Sequence, residues 1–148
     1  MTRDIKFRGK RVDTGEWAYG YYCFNPFFKR AEIFSFDDTR SYVYEVIPES
    51  VGQYTGLHDK NGVEVYEGDV VQFDDTGEEG YEYKEGFDFT NRAVVVFENG
   101  RFTLDEFLDT NSGVVEELND HEELYTTIEN SEVIGSIYDN PSLLEVHP

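Results

Sequence analysis

Ile5 and Phe7 alternate with Lys6 and Arg8, and beyond a turn-forming Asp13-Thr14-Gly15 the stretch Trp17 to Phe24 carries aromatic residues at two-residue spacing. Successive side chains of a strand point to opposite faces, so this pattern predicts a β-hairpin. A second alternating pair, Glu32 to Phe36 and Tyr42 to Ile47, flanks Asp37-Asp38-Thr39-Arg40-Ser41. Pro48 then ends the ladder, because proline has no backbone N–H to donate. Val51 to Leu57 and Val63 to Phe73 lie on either side of His58-Asp59-Lys60-Asn61-Gly62. Asn61-Gly62 is a strong hairpin signal, since both residues tolerate positive φ. Gly68-Asp69 interrupts the second run; a kink there lets one strand pass from one sheet or barrel corner to another, with Val71 and Phe73 resuming the inward face of Val63 and Val65.

Asp74 to Asn91 holds seven acidic residues, one lysine and three glycines, which predicts a long exposed excursion at about 74–91. Alternation returns at Ala93 to Phe97 and, after Glu98-Asn99-Gly100, at Phe102 and Leu104, another hairpin. Val114, Val115 and Leu118, and then Leu124 and Ile128 four apart, fit short helices. Val133, Gly135 and Ile137 predict a closing strand, and Asn140-Pro141 is placed to cap and start a last helical turn through Leu143 and Leu144. The expected fold is mainly β: a small barrel-like or partly open architecture built from hairpins, with one or two short helices toward the C-terminus.

Length changes this picture little, since 148 residues suit one domain spanning 1–148. Charge changes it more. Thirty-two acidic against twelve basic residues give a net −20, which opposes approach to nucleic-acid phosphates or anionic lipid. The acidity is uneven: residues 1–30 carry seven basic and three acidic side chains, and Asp105 to Glu132 carries ten carboxylates with no lysine or arginine. Cys23 is the only cysteine, so neither an intrachain disulfide nor a cysteine-based zinc site can form, and its aromatic strand predicts an inert core or semi-buried thiol. No signal-peptide pattern opens the chain and no apolar run reaches membrane-spanning length, so a cytoplasmic protein without a membrane partner is expected.

Ile5 to Lys10, Thr14 to Gly20, Val51 to Val71 and Glu132 to Leu144 together resemble the YopX family, most specifically in the run VGQYTGLHDKNGVEVYEGDVV. The resemblance spans the chain and leaves the segments around 25–45 and 74–130 as its variable parts. It implies a phage or prophage origin in a bacterial host and a mainly β fold. It brings no catalytic residue, and His58 stands where it implies a lysine or another basic side chain.

Chemical motifs are sparse. His58, His121 and His147 are the available bases and none sits in a nucleophile motif. His58-Asp59 offers an acid–base pair, but Asp-Lys-Asn-Gly is also plain turn chemistry. Asp74, Asp75, Glu78 and Glu79 offer oxygen ligands to a hard cation without the spacing of an EF-hand, and a solvated acidic loop accounts for them. No phosphate-binding glycine loop occurs. The chain is therefore expected to have no catalytic, cofactor or metal site. Lys6, Arg8 and Lys10 share one face of the first strand, which suits phosphate contact or neutralisation of the acidic remainder. The reading carried forward is a non-enzymatic phage accessory protein that binds a host or phage protein, with Tyr54, His58, Asp59, Tyr66, Lys6, Arg8 and Lys10 as the candidate interaction surface. Nucleic-acid binding by the basic strand, imitation of DNA by the acidic tract to inhibit a host protein, a homo-oligomeric contact, and an enzyme centred on His58 stand as alternatives.

Overall fold

The structure, a computed structural model, describes residues 5–76, 88–110, 112–116, 118 and 120–144. The chain divides into two compact units, Met1–Gly56 and Leu57–Pro148.

In the first unit the two predicted hairpins form and join. Strands β1 (Phe7–Lys10), β2 (Trp17–Asn25), β3 (Arg30–Phe36) and β4 (Ser41–Val46) pair antiparallel in succession. A 3-10 turn at Pro48–Ser50 leads to β5 (Gly52–His58), which pairs on the free side of β1, giving the order β4-β3-β2-β1-β5. The sheet curls until the end of β4 meets the end of β1: Val12 N–H donates to the Glu45 carbonyl at 3.0 Å and Ile47 N–H to that of Lys10 at 2.8 Å. Gly9 permits this approach, because a Cβ there would lie 2.9 Å from the Val46 side chain. Inside the curl lie Ala18, Ala31, Ile33 and Val46, with Phe7, Tyr44 and Val51 packed against them. The sheet stays open, with β4 as an edge, so the partly open form of the expected architecture is the one observed.

The second unit begins with Leu57 and His58 at the end of β5. The turn through Asn61-Gly62 reverses the chain into β6 (Glu64–Tyr66), with Asp59 N–H donating to the Val63 carbonyl at 2.8 Å. After Gly68, with φ +94°, β7 (Asp69–Thr76) enters a different sheet, as the predicted kink requires. That sheet has the order β10-β7-β8-β9, built with β8 (Asp88–Glu98), β9 (Arg101–Asp105) and β10 (Glu132–Ser136). Between β9 and β10 lie α1 (Gly113–Glu116) and α2 (His121–Glu129), the two short helices expected. Asp120 caps α2, its carboxylate accepting from the N–H groups of Glu122 and Glu123 at 3.1 and 3.3 Å. Leu124 and Ile128 turn inward onto Val65, Val71, Phe73, Ala93, Val95, Leu104 and Val114. Val70 and Val94 are also buried, so β7 and β8 are covered on both faces. On that second face Arg92 donates to Gln72 Oε1 and to the Leu143 carbonyl, both at 3.0 Å, which ties down the final 3-10 turn at Pro141–Leu144.

Three expectations change. Val63 is 48% exposed although Val65 is buried, because Val63 closes the turn one residue before β6 begins. Cys23 is exposed rather than a core or semi-buried thiol, since it alternates with the exposed Tyr19 and Tyr21 on the face of β2 opposite the buried Ala18. The acidic excursion is also shorter at both ends: β7 runs on to Thr76 and β8 starts at Asp88, with Asp74, Asp75 and Thr76 in register with Thr90, Phe89 and Asp88. The remainder of that excursion, 77–87, lies outside the described residues.

Candidate functional site

The register of β1 against its neighbours puts Lys6, Arg8 and Lys10 on one face with Trp17 and Tyr54. Each cation rests on a ring. The Arg8 guanidinium lies 4.1 Å from the Trp17 ring centre, Lys10 Nζ 4.7 Å from the same ring, and Lys6 Nζ 5.2 Å from that of Tyr54. Arg8 and Tyr54 are buried. A cation held over an aromatic face gains about 0.5–2 kcal/mol, so these side chains contribute to the unit's own stability. The structure thus brings Lys6, Arg8, Lys10 and Tyr54 together as a packed ladder with its central arginine buried.

The other sequence candidates lie in the second unit. Tyr66 is buried; its N–H donates to Asp69 Oδ2 at 2.8 Å and its hydroxyl to Glu64 Oε1 at 3.2 Å. Asp59 is buried and its carboxylate acts as a staple. Oδ1 accepts from the N–H groups of Asn61 at 2.8 Å and Val63 at 2.9 Å, and Oδ2 from that of Val133 at 2.9 Å. Burial pushes the Asp59 carboxyl upward, but the N–H groups of Val133, Val63 and Asn61 outweigh it and hold the group below the usual carboxylate range. His58 is exposed at the end of β5 while Asp59 faces backbone amides, which is the geometry of turn chemistry. Asp75 is likewise built in. Its carboxylate accepts from Asn91 Nδ2 at 2.9 Å and from the Ser112 hydroxyl, and all three residues are buried. Glu78 and Glu79 lie outside the described residues. Among the described residues no group of three or more His, Cys, Asp or Glu side chains is placed to hold a metal ion.

Sequence reasoning missed the end of the β2–β3 hairpin. Asn25 Oδ1 accepts from the N–H groups of Phe27 and Phe28 at 2.9 and 3.2 Å, and Lys29 takes the left-handed conformation at φ 52°. Arg30 donates to Glu32 Oε2 at 2.7 Å and lies 5.0 Å from the Phe28 ring centre, and Asn25 Nδ2 donates to Glu32 Oε1 at 3.3 Å. These contacts fix a turn whose two phenylalanines stand in solvent, Phe27 91% and Phe28 70% exposed. Tyr21, Tyr22, Phe24, Phe36 and Val43 are exposed on the adjoining strands, with Tyr21 and Phe36 edge to face at 5.9 Å. The available signal was Asn25-Pro26 ahead of two phenylalanines: a turn dipeptide followed by rings with no ladder to bury them.

These strands, antiparallel and short, are arranged as in a solved structure, the crystal structure of protein EF1440 from Enterococcus faecalis. The likeness has a TM-score of 0.52 at 22% identity and covers 97% of this chain and 100% of that one. It speaks for the fold. Residues 6–145 match the YopX protein family, nearly the whole chain. The chain belongs to the YopX family. No curated protein matches it. The YopX match takes in the β2–β3 hairpin and both units, so the exposed aromatic turn is set within the family domain. Charge separates the units: residues 1–56 hold eight basic and eight acidic side chains, and residues 57–148 hold four and twenty-four.

Proposed function

We propose that this YopX-family chain is a non-enzymatic accessory protein of phage or prophage origin that acts in the bacterial cytoplasm by binding a partner protein, with the β2–β3 hairpin as its docking element. The observation that carries this reading is the turn at Pro26–Lys29. Two phenylalanines are held in solvent by a set of polar contacts that order the backbone beneath them. Exposed rings on an already ordered backbone need only their side chains ordered on binding, which suits an anchor in an apolar socket of a partner, and aromatic anchors of this kind dominate binding energy at protein interfaces. The hairpin lies in the charge-balanced unit, residues 1–56.

The basic strand supports nucleic-acid binding less well, because burial of Arg8 against Trp17 withdraws the middle cation of the three from phosphate. The pair His58-Asp59 supports an enzyme less well, because the Asp59 carboxylate is committed to backbone amides.

The test is photo-crosslinking from a benzophenone amino acid placed at Phe27 and, as a control, at Val12, which is also exposed. The reading expects a discrete protein adduct from position 27 and none from position 12. Equal, diffuse labelling from both positions would contradict it.

A further inference from the structure

β2 is nine residues long and β1 only four, and their register covers Trp17 to Gly20. Tyr21 to Asn25 pair with β3 on one side; among the described residues no strand pairs with them on the other. Natural sheets protect such an edge with charge, proline or a bulge, because its unpaired backbone groups invite another strand. The edge Tyr21-Tyr22-Cys23-Phe24-Asn25 has neither charge nor proline. Its side chains alternate across the sheet, and Tyr21, Tyr22, Cys23 and Phe24 are all exposed.

We propose that this edge is a self-association site, at which a second copy of the chain adds its own Tyr21–Asn25 antiparallel about a two-fold axis through Cys23. The segment is self-complementary in that register. Tyr22 of each copy faces Phe24 of the other, an aromatic cross-strand pair on each side of the axis, Tyr21 faces Asn25, and Cys23 faces Cys23. Uncharged residues set no like charges opposite one another, which matters in a chain of net −20. Backbone hydrogen bonds supply the attraction and the alternating rings set the register. Partly exposed rings of Tyr21, Tyr22 and Phe24 offer on the order of 300–400 Å² per copy, below the roughly 800 Å² per partner of a stable interface. The dimer is accordingly concentration-dependent. The contact leaves Phe27 and Phe28 outside the paired segment, so it stands apart from the docking proposed above.

The sole cysteine makes the register directly testable. Sedimentation velocity of the intact chain from about 5 to 500 µM is expected to show a monomer–dimer equilibrium, and treatment with diamide a disulfide dimer through Cys23, since directly opposed residues lie within disulfide reach. Moving the thiol (Cys23→Ala with Tyr22→Cys, or with Phe24→Cys) is expected to cut the cross-link yield at least fivefold, because 22 and 24 face each other rather than themselves. Phe24→Lys is expected to weaken dimerisation about tenfold or more with the circular dichroism spectrum unchanged. A chain that stays monomeric throughout, leaving the edge to an extended segment of some other protein, overturns the proposal. So does a dimer indifferent to Phe24→Lys, or one that cross-links equally from 22, 23 and 24.

Discussion

Three backbone N–H groups converge on Asp59, one of them from Val133, 74 residues away. Asp59→Ala is expected to cost about 3 kcal/mol in urea unfolding, because three partly buried backbone donors lose a charged acceptor at once. The carboxyl is held below its ordinary range in the folded chain, so its stabilisation is complete above the unfolded value near 4 and fades as pH falls through the lower folded value. The stability gap between the wild type and Asp59→Asn is therefore expected to be constant above about pH 5 and to narrow below pH 4. Asn91 is the second such residue. It donates to Asp75 and to the Asp109 carbonyl, and accepts from the N–H groups of Arg92 and Asp109. Asn91→Ala is expected to cost about 2–4 kcal/mol, since it leaves the buried Asp75 carboxylate short of a donor. The turn role of Asp59 could be read from Asp-Lys-Asn-Gly, but its bond to Val133 could not, because nothing local announces a partner so distant. Asp75 continues the inward alternation of Val71 and Phe73, yet its charge argued for solvent. The partners that make its burial tolerable come from residues 91 and 112.

Among elements, alternation and turn residues located the strands of the described chain, apart from the end of β7 and the start of β8, because strand period and turn chemistry are local. The lengths of facing strands are not local. β1 pairs with β2 only from Trp17 to Gly20, which leaves Tyr21 to Asn25 without a β1 partner, a limit that no local pattern announces. The same argument distinguishes the phenylalanines of the turn from the residues within the curl. Phe27→Ser with Phe28→Ser is expected to shift stability by no more than about 0.5 kcal/mol, whereas Ile33→Ala is expected to cost about 2–5 kcal/mol. Asp120→Ala, at the N-terminus of α2, is expected to cost about 1 kcal/mol. Comparison of urea midpoints across these variants separates surface kept for binding from surface kept for folding.

For the whole molecule, the polarity read between residues 1–30 and the rest becomes, once the units are known, a balanced segment 1–56 and a segment 57–148 at net −20. Mutual repulsion among those carboxylates is screened by salt, so the thermal midpoint is expected to rise by a few degrees between about 10 and 300 mM NaCl. Binding through exposed phenylalanines is hydrophobic and should survive the same salt. The most direct measurement is quantitative mass spectrometry of proteins retained from bacterial lysate at about 300 mM NaCl by the wild type, by Phe27→Ser with Phe28→Ser, and by Glu122→Gln with Glu123→Gln. The account predicts that the first and third retain the same proteins and that the phenylalanine variant loses them. Retention unchanged in the phenylalanine variant, or lost only in the glutamine variant, would contradict it.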